Sequence, residues 1–125
     1  MLNFLLVGCG GFIVSALRYL VGMGAQYIAR SIGFPYGTLT VNVLGCLLIG
    51  FLGGLTQHRD AFTPEIRLFI FTGMLGGFTT FSAFGYDTFN LARNVDLPNA
   101  LFNILLHIFL GIGGVCLGYW ASRWC

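Results

Sequence analysis

The chain has 125 residues, 57% of them hydrophobic and only 8% charged, whereas ordinary globular chains are about 25% charged. Six arginines, no lysine and four acids leave a net charge of +2. The arginines are scattered along the chain instead of forming a basic face, which excludes nucleic-acid binding. This composition is that of an integral membrane protein.

The stretches 1–17, 31–58, 68–86 and 97–122 contain no Asp, Glu, Lys or Arg. Each meets or approaches the roughly 18 to 20 apolar residues of a spanning helix. An all-α membrane domain filling residues 1–125 follows, with four spans at about 2–29, 37–57, 66–92 and 98–122. The opening MLNFLLVGCGGF has neither the basic region nor the cleavage site of a signal peptide, so it reads as the first span. Arg18 lies well inside that span, where a charge either faces a watery vestibule or snorkels to the interface.

The segment RSIGFPY, with Gly33 and Pro35, connects to the second span, where GTLTVNVLG carries Asn42. Asn42 is the only carboxamide between Gly37 and Gln57. It either donates to an anion or satisfies itself across a helix pair, because an unpartnered amide in hydrocarbon is costly. The connection HRDAFTPE follows, with Pro64 opening the third helix.

The third span contains GMLGGFTTFSAFGYD. Gly76 and Gly77 have poor helix propensity, and the hydroxyls of Thr79, Thr80 and Ser82 compete for backbone groups. A broken helix at membrane depth must face a cavity, an ion or other protein, so an ion-binding break is one expectation. A continuous helix with glycine contact points is the other. Phe81 and Phe84 share a face at helical spacing, and their ring edges carry the partial positive charge that suits a small anion. They would serve equally as core. Asp87 follows, a candidate partner for an arginine.

RNVDLP places Pro98 at the start of the fourth span, where Asn103, His107 and Gly111 lie on one stripe. His107 is a proton relay, an anion donor or a neutral hydrogen-bonded side chain. Cys9, Cys46, Cys116 and Cys125 have no metal or redox spacing and are expected to be buried, reduced thiols. Gly50/Gly54, Gly73/Gly77 and Gly114/Gly118 have the spacing of close helix contacts in lipid.

Arg59, Arg67 and Arg123 flank one side of the membrane and Arg30 and Arg93 the other. So small a bias scarcely sets an orientation, and a dual-topology antiparallel homodimer is expected, two copies supplying the inverted symmetry that larger transporters encode internally; the other reading is that one arginine, helped by an insertion factor, fixes a single orientation.

The motifs GGFIVSALRY, PYGTLTVNVLG and GMLGGFTTFSAFGYDT together resemble the CrcB/Fluc family of small four-helix fluoride channels, and the resemblance covers nearly the whole chain. It implies two antiparallel fluoride pathways in a dual-topology homodimer of the bacterial inner membrane. Asn42, Phe81 and Phe84 would line the pathway, with Ser82 nearby, Arg18 in a vestibule, and Asn103 and His107 on a polar track. It also implies a central sodium ion held by the backbone carbonyls of Gly76 and Thr79, oxygen ligands that suit a hard cation. Ala83, Asp87 and Gly111 depart from the family pattern. Such a protein is a passive exporter and not an enzyme, driven by about 2.3 kcal/mol per charge per 100 mV. The competing readings are a proton-coupled transporter working through Asp87 or His107, and a noncatalytic membrane subunit of a larger complex.

Overall fold

Four helices long and apolar enough to cross a bilayer make up the chain: Leu2–Ala29 (α1), Tyr36–Arg59 (α2), an interrupted third span from Pro64 to Arg93, and Leu97–Ser122 (α6). The computed structural model describes residues 1–59 and 62–125. Asp60 and Ala61, in the connection HRDAFTPE, lie outside the described residues. Only 11% to 28% of each span's apolar window is buried within a single chain. Helices apolar all round in this way belong in lipid or against other membrane protein.

The third span is divided because its sequence changes character along its length. Thr63 Oγ1 accepts the Ile66 N–H, and Pro64 occupies the first turn of α3 (Pro64–Arg67), where its missing N–H costs nothing. A π-helical segment, Leu68–Leu75, follows, then a single turn, α4 (Gly76–Phe78). Two extended residues, Thr79 and Thr80, separate α4 from α5 (Phe81–Arg93). Pro98 lies in the first turn of α6 in the same manner as Pro64 in α3.

The helices associate through their glycines. α2 and α6 run parallel and touch along much of their length: a Cβ on Gly114 would lie 3.3 Å from the Val43 carbonyl oxygen. Cβ atoms on Gly50, Gly54 and Gly118 would collide with Val115, Ser122 and Leu47 respectively. A Cβ on Gly73 or on Gly77 would lie 3.2 Å from Val7 or Gly11 of α1 respectively. All three glycine pairs of the sequence are therefore contact points. In lipid there is little hydrophobic drive between helices, and this close approach of backbones supplies dispersion contact in its place. Where α1, α2 and the third span converge, Val14, Val41 and Phe78 form the buried core.

The first connection is held by a residue whose role the sequence does not announce. Gln26, near the end of α1, donates from Nε2 to the carbonyls of Ser31 and Phe34, and its Oε1 accepts the Gly37 N–H. Arg30 closes α1 in the left-handed region at φ 50°. The cysteines differ from expectation: Cys46 is half-buried, whereas Cys9, Cys116 and Cys125 are free thiols on the outer surface. A thiol is apolar enough to meet lipid as readily as core.

Gly118→Val is expected to cost about 1–3 kcal/mol or more through overpacking against Leu47 and Phe51. Gly53→Ala, where a Cβ meets nothing within 4 Å, is expected to be neutral. Unfolding of the purified protein in mixed detergent titrations measures both.

Candidate functional site

The centre of the molecule is the interruption of the third span. Thr79 (φ −86°, ψ 149°) and Thr80 (φ −143°, ψ 104°) are extended, whereas Gly76 remains helical at φ −63°, ψ −35°. The break thus falls three residues beyond the glycine pair. Within the helix Gly77 lies against Gly11 of α1 and Gly76 is exposed, and the backbone opens at the threonines. Gly45 of α2 makes room for Thr79, whose methyl occupies the place a Cβ there would take.

The break is held from two other helices. Asn42 of α2 grips Thr80 by its backbone: the Thr80 N–H donates to Asn42 Oδ1 (2.9 Å), and Asn42 Nδ2 donates to the Thr80 carbonyl (3.3 Å). Arg18 of α1 donates to Thr80 Oγ1. In an unbroken helix the Thr80 N–H would have bonded the carbonyl of Gly76. Its diversion to Asn42 releases that carbonyl. The Asn42 amide is an interhelical clamp in this arrangement, with one Nδ2 hydrogen left over.

Two cavities meet at this clamp, both lined by Asn42 and Thr80. The larger, about 760 Å³, has the more polar lining and includes Arg18, Gln26, Thr38, Asp87 and Asn90. The smaller, about 360 Å³, is mostly apolar and includes Cys46, Thr79, Phe81, Phe84, His107 and Gly111. In the larger cavity Asp87 accepts a hydrogen bond from Thr38 Oγ1 (2.6 Å), so its partner is a hydroxyl and not the arginine the sequence suggests.

The smaller cavity has an ordered wall of rings. The centroids of Phe81 and Phe84 are 5.5 Å apart, and Phe84 lies 4.4 Å from the ring of His107. Phe81 is 84% exposed and Ser82 is also exposed, so both present themselves outside the single chain. Behind Phe84 runs a hydrogen-bond chain: Asn103 Nδ2 donates to Thr88 Oγ1 (2.9 Å), and Thr88 Oγ1 donates to the Phe84 carbonyl (2.8 Å). His107 Nδ1 is 2.9 Å from the Asn103 carbonyl. The structure brings Asn42, Phe81, Phe84 and His107 to one cavity, with Asn103 just behind, Arg18 across the clamp and Gly76 exposed beside the break. Thr80, Thr88 and Thr38 join the constellation without having been singled out as ligands. Threonine in a span is so often bonded to its own helix that the sequence offers no signal for these.

These features define a small multi-pass membrane protein in which an interrupted helix separates a polar cavity from an apolar one. The family model described as "CrcB-like protein, Camphor Resistance (CrcB)" matches residues 5–119, and the chain belongs to that family. It is 44% identical to the fluoride-specific ion channel FluC of Agrobacterium fabrum over 98% of both chains. Against the protein of that name from Elusimicrobium minutum the identity is 44%, over 97% of this chain and 94% of the relative. For that of Clostridium novyi it is 40%, over 91% and 88%.

Asn42→Ala is expected to cost about 1–3 kcal/mol by leaving the Thr80 N–H without a partner, since the Thr80 carbonyl keeps the Phe84 N–H. Asn42→Asp, which keeps the acceptor for the Thr80 N–H, should cost less. Thermal unfolding compares them, and faster amide exchange confined to residues 79–84 would locate the effect at the break.

Proposed function

We propose that this protein is a fluoride-selective channel through which F⁻ leaves the cytoplasm passively across the bacterial inner membrane. The single observation that carries the reading is the clamped break flanked by a polar and an apolar cavity, in a chain whose relatives are named fluoride-specific ion channels. The polar cavity, with the Arg18 guanidinium at its base, draws anions toward Asn42. Beyond the clamp the anion exchanges water for the electropositive edges of Phe81 and Phe84, which solvate it without a full charge that would trap it. Ser82 contributes a hydroxyl, and Asn103 and His107 continue the route along α6. Nothing in this path asks for a nucleophile or a bond-breaking step, and the protein acts as a channel without catalysis.

The working unit is an antiparallel dual-topology homodimer. The support is physical: an interrupted backbone at membrane depth is tolerated only where protein or a watery cavity covers it. In one chain Gly76, Phe81 and Ser82 are exposed beside the interruption, and a second copy is the cover that leaves no polar backbone in lipid. The Gly76 carbonyl freed by the Thr80 diversion, and the Thr79 carbonyl turned out of helical direction by its ψ of 149°, fit sodium as hard oxygen ligands. These carbonyls, with those of a second copy, would hold the ion, which would supply fixed positive charge beside the anion route.

Proteoliposomes loaded with fluoride test the reading. Efflux that requires a potassium ionophore and excludes chloride is expected, and Phe81→Ile with Phe84→Ile should slow it severely while the dimer persists. Flux driven by a proton gradient without ionophore would favour a coupled transporter instead, and no flux at all an accessory subunit. For the topology, a single cysteine at Asn3, in a chain freed of its native cysteines, should react with an impermeant maleimide from both sides of the membrane. Labelling from one side alone would rule out dual topology. Replacing sodium by a large organic cation should lower the unfolding temperature of the dimer, whereas an unchanged temperature would argue against the ion.

A further inference from the structure

Two buried polar atoms beside the smaller cavity have no hydrogen-bond partner: Asn103 Oδ1 and His107 Nε2. Asn103 is fully buried, at 0% exposure, and such orphaned groups call for an explanation. The hydrogen-bond chain around them has a direction. The Thr88 hydroxyl spends its hydrogen on the Phe84 carbonyl, Asn103 Nδ2 donates to Thr88 Oγ1, and the Asn103 carbonyl can only accept from His107 Nδ1. A neutral His107 therefore carries its hydrogen on Nδ1, and Nε2 is a bare lone pair. One Asn103 Nδ2 hydrogen is uncommitted but lies on a fully buried side chain, and both partnerless atoms are acceptors. On the α6 side of the smaller cavity, the neutral His107 ring offers a passing anion no free donor.

One proton reverses this. We propose that His107 is a proton switch on the anion route: protonation at Nε2 converts a repelling lone pair into an N–H donor carrying positive charge, beside the ring of Phe84, and opens the α6 stretch to fluoride. The proposal rests on the fluoride reading above and assigns His107 its regulation. The Nδ1 bond to Asn103 is kept in both states, so the ring need not turn, and the change is confined to Nε2, a buried atom of a ring that lines the smaller cavity. The titratable and charged groups around the imidazole are few: Asp87 of α5, which lines the larger cavity, and Cys46 of α2, which lines the same cavity as His107. Arg18 lies across the Thr80 clamp, lining the other cavity.

Fluoride current through the protein in planar bilayers tests the switch, because neutral HF carries no current and its leak does not interfere. Between about pH 8 and about pH 5, the range in which histidine changes charge, the current is expected to rise several-fold. His107→Gln, which keeps a polar group but cannot titrate, should conduct with no such rise. Nitrogen NMR of histidine-labelled protein should show the Nδ1–H tautomer of His107 at alkaline pH and its protonation over the same range as the current. A pH-independent current in the unaltered protein, an undiminished rise in His107→Gln, or the Nε2–H tautomer would overturn the switch. Should His107→Gln not fold, the match between the two titrations decides, since a current following Asp87 or Cys46 would part from the imidazole signal. Absence of fluoride current at every pH would overturn the fluoride reading itself, and the switch with it; current without pH dependence overturns the switch alone.

Discussion

The two hydrogen bonds between the Asn42 amide and the backbone of Thr80 are what the rest of the structure depends on. A helix that breaks at membrane depth frees N–H and C=O groups where no water is at hand, each costing several kcal/mol if left alone, about as much as a folded domain can spare. A carboxamide is the one side chain that carries a donor and an acceptor side by side. It can therefore take up, for a single extended residue, the N–H that the helix has given up, and add a second bond to a carbonyl that still accepts the Phe84 N–H. Arg18 adds a third contact through the Thr80 hydroxyl, so that three helices converge on one residue.

That convergence needs close approach, and the glycines provide it. Gly77 against Gly11 lets the third span lie on α1, and Gly45 gives Thr79 its place against α2. The pairing of α2 with α6 brings Gly111 and His107 to the cavity that Asn42 and Phe84 also line. Helix packing and site construction are here the same event. The side chains omitted at the contacts are what permit the polar ones to meet.

Much of this was legible in the sequence. Uncharged runs marked four spans because a bilayer admits few other patterns, and Pro64 and Pro98 marked helix starts because proline is cheap in a first turn. Phe81 with Phe84, and Asn103 with His107, share faces because helical spacing makes them do so. The position of the break was less legible: glycine propensity points to residues 76 and 77, yet the backbone opens at Thr79 and Thr80. Propensity is worth at most about 1 kcal/mol per glycine, whereas Gly77 packs on α1 and Thr80 is bonded by Asn42 and Arg18. Tertiary packing therefore overrode it.

The sequence by itself determined the solvent, the number of crossings and the faces on which phenylalanine, asparagine and histidine stand, since these follow from hydropathy and helical period alone. Only the tertiary structure decided which groups are spent and which are free. Asn42 is committed to Thr80, Asp87 to Thr38 and Gln26 to the first connection, while the Gly76 carbonyl and His107 Nε2 are left over. Hydrogen bonds between residues 38 or 49 positions apart depend on where three helices cross, and a linear pattern does not contain that crossing.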